Sequence, residues 1–128
     1  MKFLIVEDST AMRRVIRNSI MRFYQNCEFE EAHNGVDAID VLKLEDIDFL
    51  ITDWLMPGLD GIELTKTVRE SKRVKEIPIL MISTKGNKKD IIEAIRAGVN
   101  DYLVKPINPS ILESKIRGII NKVGLVNL

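Results

Sequence analysis

Four short apolar runs, each halted by a group that can bind or react, leave this chain few folds to choose from. Phe3-Leu4-Ile5-Val6 stops at Glu7-Asp8, and Phe49-Leu50-Ile51-Thr52, led by Asp48, stops at Asp53. Ile79-Leu80-Met81-Ile82 follows Pro78 and stops at Ser83-Thr84, and Tyr102-Leu103-Val104 stops at Lys105-Pro106. Such runs lack the polar alternation of a half-solvated strand. They predict strands covered on both faces, as in a parallel sheet. The stretch from Glu28 to His33 carries more charge, which suits an edge strand.

Longer segments of helical period lie between the runs. Met12, Val15, Ile16, Ser19, Ile20 and Phe23 share one face of a first helix. A second helix near residues 36–44 shows Val36, Ile39 and Leu42 at similar spacing. The third begins near Asp60, where Asp60-Gly61-Ile62-Glu63 has capping-box spacing. The fourth runs from about Lys88 to Ala97, with Gly98 as its stop. The fifth opens at Asn108-Pro109 and carries Ile111, Leu112, Ile116, Ile119, Ile120 and Val123. Five strands alternating with five helices predict a doubly wound α/β fold, a five-stranded parallel sheet with right-handed crossovers. The order 2-1-3-4-5 is the economical arrangement of five such units.

Length and composition narrow the function. The 128 residues suit one domain, 1–128, with no output domain expected after it. Lys plus Arg and Asp plus Glu number 19 each, so no global field attracts nucleic acid or an acidic membrane. The single cysteine, Cys27, forbids an intrachain disulfide and a thiolate metal cluster, and reads as a structural thiol. Acids cut the N-terminal apolar run too early for a signal segment, so a cytoplasmic protein is expected. Neither a Gly-x-Gly-x-x-Gly loop nor a Gly-x-x-x-x-Gly-Lys-Ser/Thr loop is present.

In a parallel sheet the C-terminal strand ends line one edge, and ligands bind there at the point where strand order reverses. Glu7, Asp8, Asp53, Ser83 and Lys105 all stand at such ends. In the assumed order Asp8 and Asp53 face each other across the crevice, with Glu7 beside them. Clustered carboxylates repel unless neutralised. A hard divalent cation with oxygen ligands does this, and no His or Cys cluster competes, which favours Mg2+. Lys105 adds a positive point charge and Ser83 a hydroxyl donor. Phosphoryl transfer needs mainly positioning and charge neutralisation. Asp53 is the carboxylate best placed to act as nucleophile and form an acyl phosphate. Taken singly, each of these residues also fits an ordinary strand end; Lys105-Pro106 and Pro57-Gly58 also fit plain turns, and Trp54 an aromatic on the loop rim.

These residues, in this order, resemble the receiver domains of two-component response regulators. The resemblance rests on Val6 to Ser9, Ile51 to Gly61, Pro78 to Thr84 and Ala97 to Pro106, and covers essentially the whole chain. Within that family the likeness runs to the chemotaxis regulators, through Met12-Arg13-Arg14, Asp53-Trp54 with Met56-Pro57, and a chain ending after the fifth helix. The sheet order 2-1-3-4-5, flavodoxin-like, is the one this family is known for, so the resemblance implies it too. It further implies Asp53 as phosphoacceptor, with Glu7, Asp8, Asp53 and the Leu55 backbone carbonyl around Mg2+. Lys105 would contact the phosphoryl group, with a cis Lys105-Pro106 bond. Ser83 would be the switch hydroxyl and Tyr102 the switch aromatic that turns inward when Ser83 moves. Partners implied are a histidine kinase of the CheA type and a flagellar motor switch protein of the FliM type. The latter would meet the face made by the fourth helix, fifth strand and fifth helix of a monomer. Only the domain's own phosphotransfer and autodephosphorylation would be catalysed.

Some positions depart from the common pattern. Glu7 stands where Asp is more usual. Leu55 and Thr84 replace a polar and a smaller residue beside the site, and would crowd the hydrolytic water, so slow autodephosphorylation is expected. Ile91, Ile92 and Ile95 give the fourth helix more apolar width than one buried stripe needs. Either Ile91 and Ile95 form an exposed ridge beside Tyr102, or the whole set is core. Lys85, Lys88 and Lys89 read as a solvated helix start, with a docking patch as the alternative, His33 as structural, and Arg13, Arg14 and Arg17 as a kinase-docking face. The main alternative is a phosphorelay intermediate passing phosphate from Asp53 to a histidine phosphotransfer protein. A flavin carrier on the same fold is disfavoured, because Glu7-Asp8 would repel the flavin phosphate.

Overall fold

The computed structural model describes residues 1–124. Strands β1 (Lys2–Val6), β2 (Glu28–Ala32), β3 (Phe49–Asp53), β4 (Ile79–Ser83) and β5 (Asp101–Val104) alternate with helices. These are α1 (Thr10–Met21), α2 (Gly35–Leu44), α3 (Gly61–Glu70), α4 (Lys88–Ala97) and α5 (Pro109–Val123). The sheet order is β2-β1-β3-β4-β5, and all four pairings are parallel. The charged strand β2 does lie at an edge.

Each central strand feeds two cores. Leu4, Val6, Leu50, Ile79 and Met81 pack with Ala38 and Leu42 of α2, Leu64 and Val68 of α3 and Ala94 of α4. Phe3, Ile5, Phe49, Ile51, Leu80 and Ile82 face the other way, toward Ile16 and Ile20 of α1 and Leu112, Ile116 and Ile119 of α5. The apolar runs are therefore continuous because alternate residues serve opposite layers. Every residue of β3 and β4 is buried. Each fully buried large side chain contributes about 1.5–3 kcal/mol.

The helical faces are narrower than their apolar patterns suggest. Val15, Phe23, Val36, Ile111 and Val123 are exposed. Val15 and Ile111 each lie one residue, or about 100° of helical rotation, from a buried neighbour, Ile16 or Leu112. Val36 precedes the buried Ala38 by two residues and so points away from the sheet. On α4, Ile91 packs against the core, whereas Ile92 and Ile95 are exposed. The ridge is thus Ile92–Ile95 rather than Ile91–Ile95.

All five helices are N-capped by a side-chain oxygen. Ser9, Asn34, Asp60, Asn87 and Asn108 accept from the backbone N–H of Met12, Asp37, Glu63, Asp90 and Ser110 respectively. Each cap stabilises its helix by about 1 kcal/mol. All five helices start just beyond the C-terminal end of a strand, so the caps also fix where the loops of that sheet edge end. No helix among the described residues is long and apolar enough to cross a membrane.

Candidate functional site

The site forms where β1 and β3, adjacent in the sheet, run out at the same level. Val6 pairs with Thr52, so Glu7 and Asp53 emerge side by side. Asp53 in turn pairs with Ile82, which puts Ser83 one step further along the same edge, and Ser83 pairs with Val104, the residue before Lys105. Carboxylate oxygens of Glu7, Asp8 and Asp53 all lie within 4.8 Å of one another. Glu7 and Asp53 are buried, while Asp8 is exposed.

Lys105 closes the cluster. Its Nζ donates to Glu7 Oε1 at 2.7 Å and to Asp53 Oδ2 at 2.8 Å. Asp53 Oδ1 is turned to the backbone, accepting from the N–H of Trp54 at 2.6 Å and of Leu55 at 3.3 Å. The Lys105-Pro106 bond is cis. Burial, the largest cause, pushes the Glu7 carboxyl up to about 7; the Lys105 hydrogen bond opposes this, while Asp8 and the Asp53 charge reinforce it. Burial alone would lower the Lys105 ammonium, but its hydrogen bonds and charge interactions with Asp53 and Glu7 carry it upward on balance. Burial, reinforced by the neighbouring carboxylates, outweighs the single Lys105 charge and holds the Glu7 carboxyl above its ordinary range.

The donor set is all oxygen, with no imidazole or thiolate. With a single lysine against three clustered carboxylates, this fits a hard divalent ion such as Mg2+. The Leu55 carbonyl accepts no hydrogen bond among the described residues, which leaves it available as a further oxygen ligand.

Ser83 is fully buried, and its Oγ accepts from Lys85 N–H at 3.2 Å. The Tyr102 hydroxyl donates to the Lys85 carbonyl at 2.5 Å, and its ring meets Trp54 edge-on with centroids 6.4 Å apart. Tyr102 is already buried in this structure. Trp54 is not a rim aromatic: it is 4% exposed and belongs to the core under α3 and α4. Lys85 is likewise no solvated helix start. Its Nζ sits 3.8 Å above the Trp54 ring and 3.8 Å from Asp90 Oδ1. Leu55 and Thr84 are exposed beside the site. His33 is exposed and lies 3.3 Å from Asp37, and Cys27 packs partly buried against the α1–α5 core.

Two positions carry more of the site than their sequence context suggested. The Arg13 guanidinium donates to the Glu7 carbonyl at 2.5 Å and pairs with Glu31 at 3.0 Å, pinning the loop that presents Glu7 and Asp8. Arg17 also reaches Glu31, at 3.5 Å, so of the three arginines only Arg14 has no ion-pair partner among the described residues. Gly61 lies so close to β3 that a Cβ there would stand 2.1 Å from the Asp53 carbonyl oxygen. A glycine opening a helix directly after its cap residue was the available signal for that approach. For Arg13 there was none beyond its place in the first turn.

Comparison with known proteins agrees with this architecture. A family model described as the response regulator receiver domain matches residues 3–117. The chain is 46% identical to a chemotaxis protein CheY homolog of Campylobacter jejuni, over 94% of this chain and 92% of that protein. It is 43% identical to the chemotaxis protein CheY of Pseudomonas aeruginosa, over 97% and 99%. The solved structure of the chemotaxis response regulator CheY4 of Vibrio cholerae superposes with a TM-score of 0.84 at 30% identity, covering 92% of this chain and 97% of that one. With the sheet order, the strand-end acids and these relatives in agreement, the chain belongs to the receiver-domain family of two-component response regulators.

Proposed function

We propose that this receiver is a phosphorylation-driven binding switch of the chemotaxis type, with Asp53 as phosphoacceptor. The observation that carries the reading is the convergence of Glu7, Asp8, Asp53 and Lys105 at one sheet edge. Asp53 Oδ2, the oxygen not held by backbone amides, attacks the phosphorus of a phosphohistidine on the partner kinase. A P–O bond forms, the P–N bond breaks, and the imidazole leaves with the electron pair and takes up a proton. Glu7, Asp8, Asp53 and the Leu55 carbonyl would hold magnesium, which would supply charge neutralisation for the phosphoryl oxygens. Lys105 moves from bridging two carboxylates to contacting the phosphoryl group, and Ser83 donates its hydroxyl to it. No other substrate is turned over.

The output runs through Lys85. Its N–H donates to Ser83 Oγ and its carbonyl accepts from Tyr102, so displacement of Ser83 toward a phosphoryl oxygen disturbs both bonds. The affected surface is the α4–β5–α5 face, where Ile95, Val104 and Ile111, one from each element, are exposed. Exposed apolar groups on three adjacent elements suit a protein partner. The relatives are chemotaxis proteins, which favours a motor-switch partner over a phosphorelay and a cytoplasmic setting for the pair. A direct test is capture of the acetyl-phosphate-treated domain on a motor-switch peptide and on a histidine phosphotransfer domain. Phosphate-dependent retention by the peptide supports the switch. Loss of phosphate to the transfer domain, without peptide retention, supports the relay instead.

A further inference from the structure

The α3–α4 side of the molecule carries a second surface, adjoining the α4–β5–α5 face along α4. A groove of about 780 Å³ runs between these helices. Four cations line it: Lys66 from α3 and Lys88, Lys89 and Arg96 from α4, against one acid, Glu93. None of the four has a salt-bridge partner among the described residues, although lysines and arginines elsewhere, such as Lys2, Arg13, Arg73 and Lys115, do. In a chain with equal numbers of acidic and basic residues, four unpaired cations in one groove form a local positive field. The floor is apolar, formed by Ile62 and by Ile92, which is 41% exposed.

We infer that this groove docks an acidic amphipathic segment of a partner protein, with apolar side chains on Ile92 and carboxylates against Lys66, Lys89 and Arg96. Charge complementarity selects the acidic partner, and the apolar floor selects one with an apolar stripe. Two other polyanions fit less well. The lining contains no aromatic ring on which a nucleic-acid base could stack. It is also concave, whereas an anionic membrane is met by a projecting apolar face. The docking needs neither phosphate nor metal, so it stands or falls separately from the switch at Asp53.

The test is an NMR titration of the 15N-labelled domain without magnesium or phosphoryl donor. The probe is a synthetic acidic amphipathic peptide of about 15 residues, long enough to form a helix; a scrambled peptide of the same composition is the control. Expected are shifts confined to α3 and α4 around Lys66 and Ile92, and binding at least tenfold weaker for the scrambled peptide. Lys66→Glu with Lys89→Glu should weaken binding at least tenfold, and Ile92→Ser severalfold with the charge unchanged. All three positions are exposed, and Lys66→Gln with Lys89→Gln provides a milder version of the same loss. Equal binding of both peptides, shifts centred on α4–β5–α5, or affinity indifferent to the charge reversal would overturn the inference. So would binding to anionic vesicles or a single-stranded oligonucleotide, lost on charge reversal, when the amphipathic peptide does not bind.

Discussion

Lys105 Nζ lies 2.7 Å from Glu7 Oε1, although the two residues are separated by 98 positions in the chain. The same nitrogen reaches Asp53, so one cation holds the β1, β3 and β5 ends together. Removing one partner of a buried ion pair costs more than the pair contributes, because the remaining charge is left unpaired. Lys105→Met keeps most of the stem and deletes the charge. At pH 8 without magnesium it should destabilise the domain by about 2 kcal/mol, discounted from the fully buried case because Lys105 is partly solvated. Magnesium should recover much of this loss. Urea unfolding of both proteins, with and without the metal, measures it.

Glu7 gives the site a pH dependence with a definite sign. Its carboxyl titrates near 7 in the folded domain against an ordinary value of 4.5. Between those values the folded state holds a proton that the unfolded chain has released, so this contribution to stability is present at low pH and is lost as pH rises through 7. Glu7→Gln stays neutral throughout. In chelator, the stability of wild type relative to Glu7→Gln should fall between pH 5 and pH 8; a difference that stays flat would contradict the assignment. Magnesium must displace the same proton. Its affinity should therefore weaken below pH 7, by up to roughly tenfold per pH unit.

Gly61 sets how closely α3 approaches Asp53. Gly61→Ala places a methyl group against the Asp53–Trp54 peptide unit, with the Trp54 Cα only 2.9 Å away. Neither neighbour is a flexible side chain. The variant should lose about 3 kcal/mol, at the upper end for an overpacked site. It should also take up phosphate more slowly than its remaining stability explains. Gly118→Ala, where a Cβ meets nothing within 4 Å, is the control and should be neutral or better.

Leu55 and Thr84 flank Asp53 from the β3–α3 and β4–α4 loops, and both are exposed at the mouth of the site. An apolar group there sheds water from the acyl phosphate. Leu55→Asn combined with Thr84→Ala should shorten the phosphorylated lifetime roughly tenfold, equivalent to about 1.4 kcal/mol in the hydrolytic barrier. Loss of phosphate from the purified phosphoprotein, followed by intact mass, reads it directly. An unchanged lifetime would show that these side chains do not control water access.

The strands and their reactive ends were legible because burial on both faces leaves an unmistakable apolar run, and the run must stop where the sheet stops. The helices were legible in position but not in facing. Val36 and Ile111 match the apolar period yet point to solvent, since period alone does not locate the centre of the buried stripe. The gathering of Glu7, Asp8, Asp53 and Lys105 on one edge followed from strand order, which the residue pattern suggested and the family resemblance implied, but the direct pairing of Glu7 with Lys105 did not. Arg13 on the Glu7 carbonyl was not legible, because backbone acceptors leave no mark in a sequence. Lys85 above Trp54 was hidden for a related reason: the two residues sit on different loops that only the closed sheet brings together.

Asp53 is proposed to accept a phosphoryl group in a magnesium-dependent reaction. Intact mass after incubation with acetyl phosphate and magnesium tests it. The wild-type domain should gain one phosphoryl group, chelator should prevent the gain, and Asp53→Asn should gain none. A wild-type mass that stays unchanged, or an Asp53→Asn variant that still takes up phosphate, would contradict it.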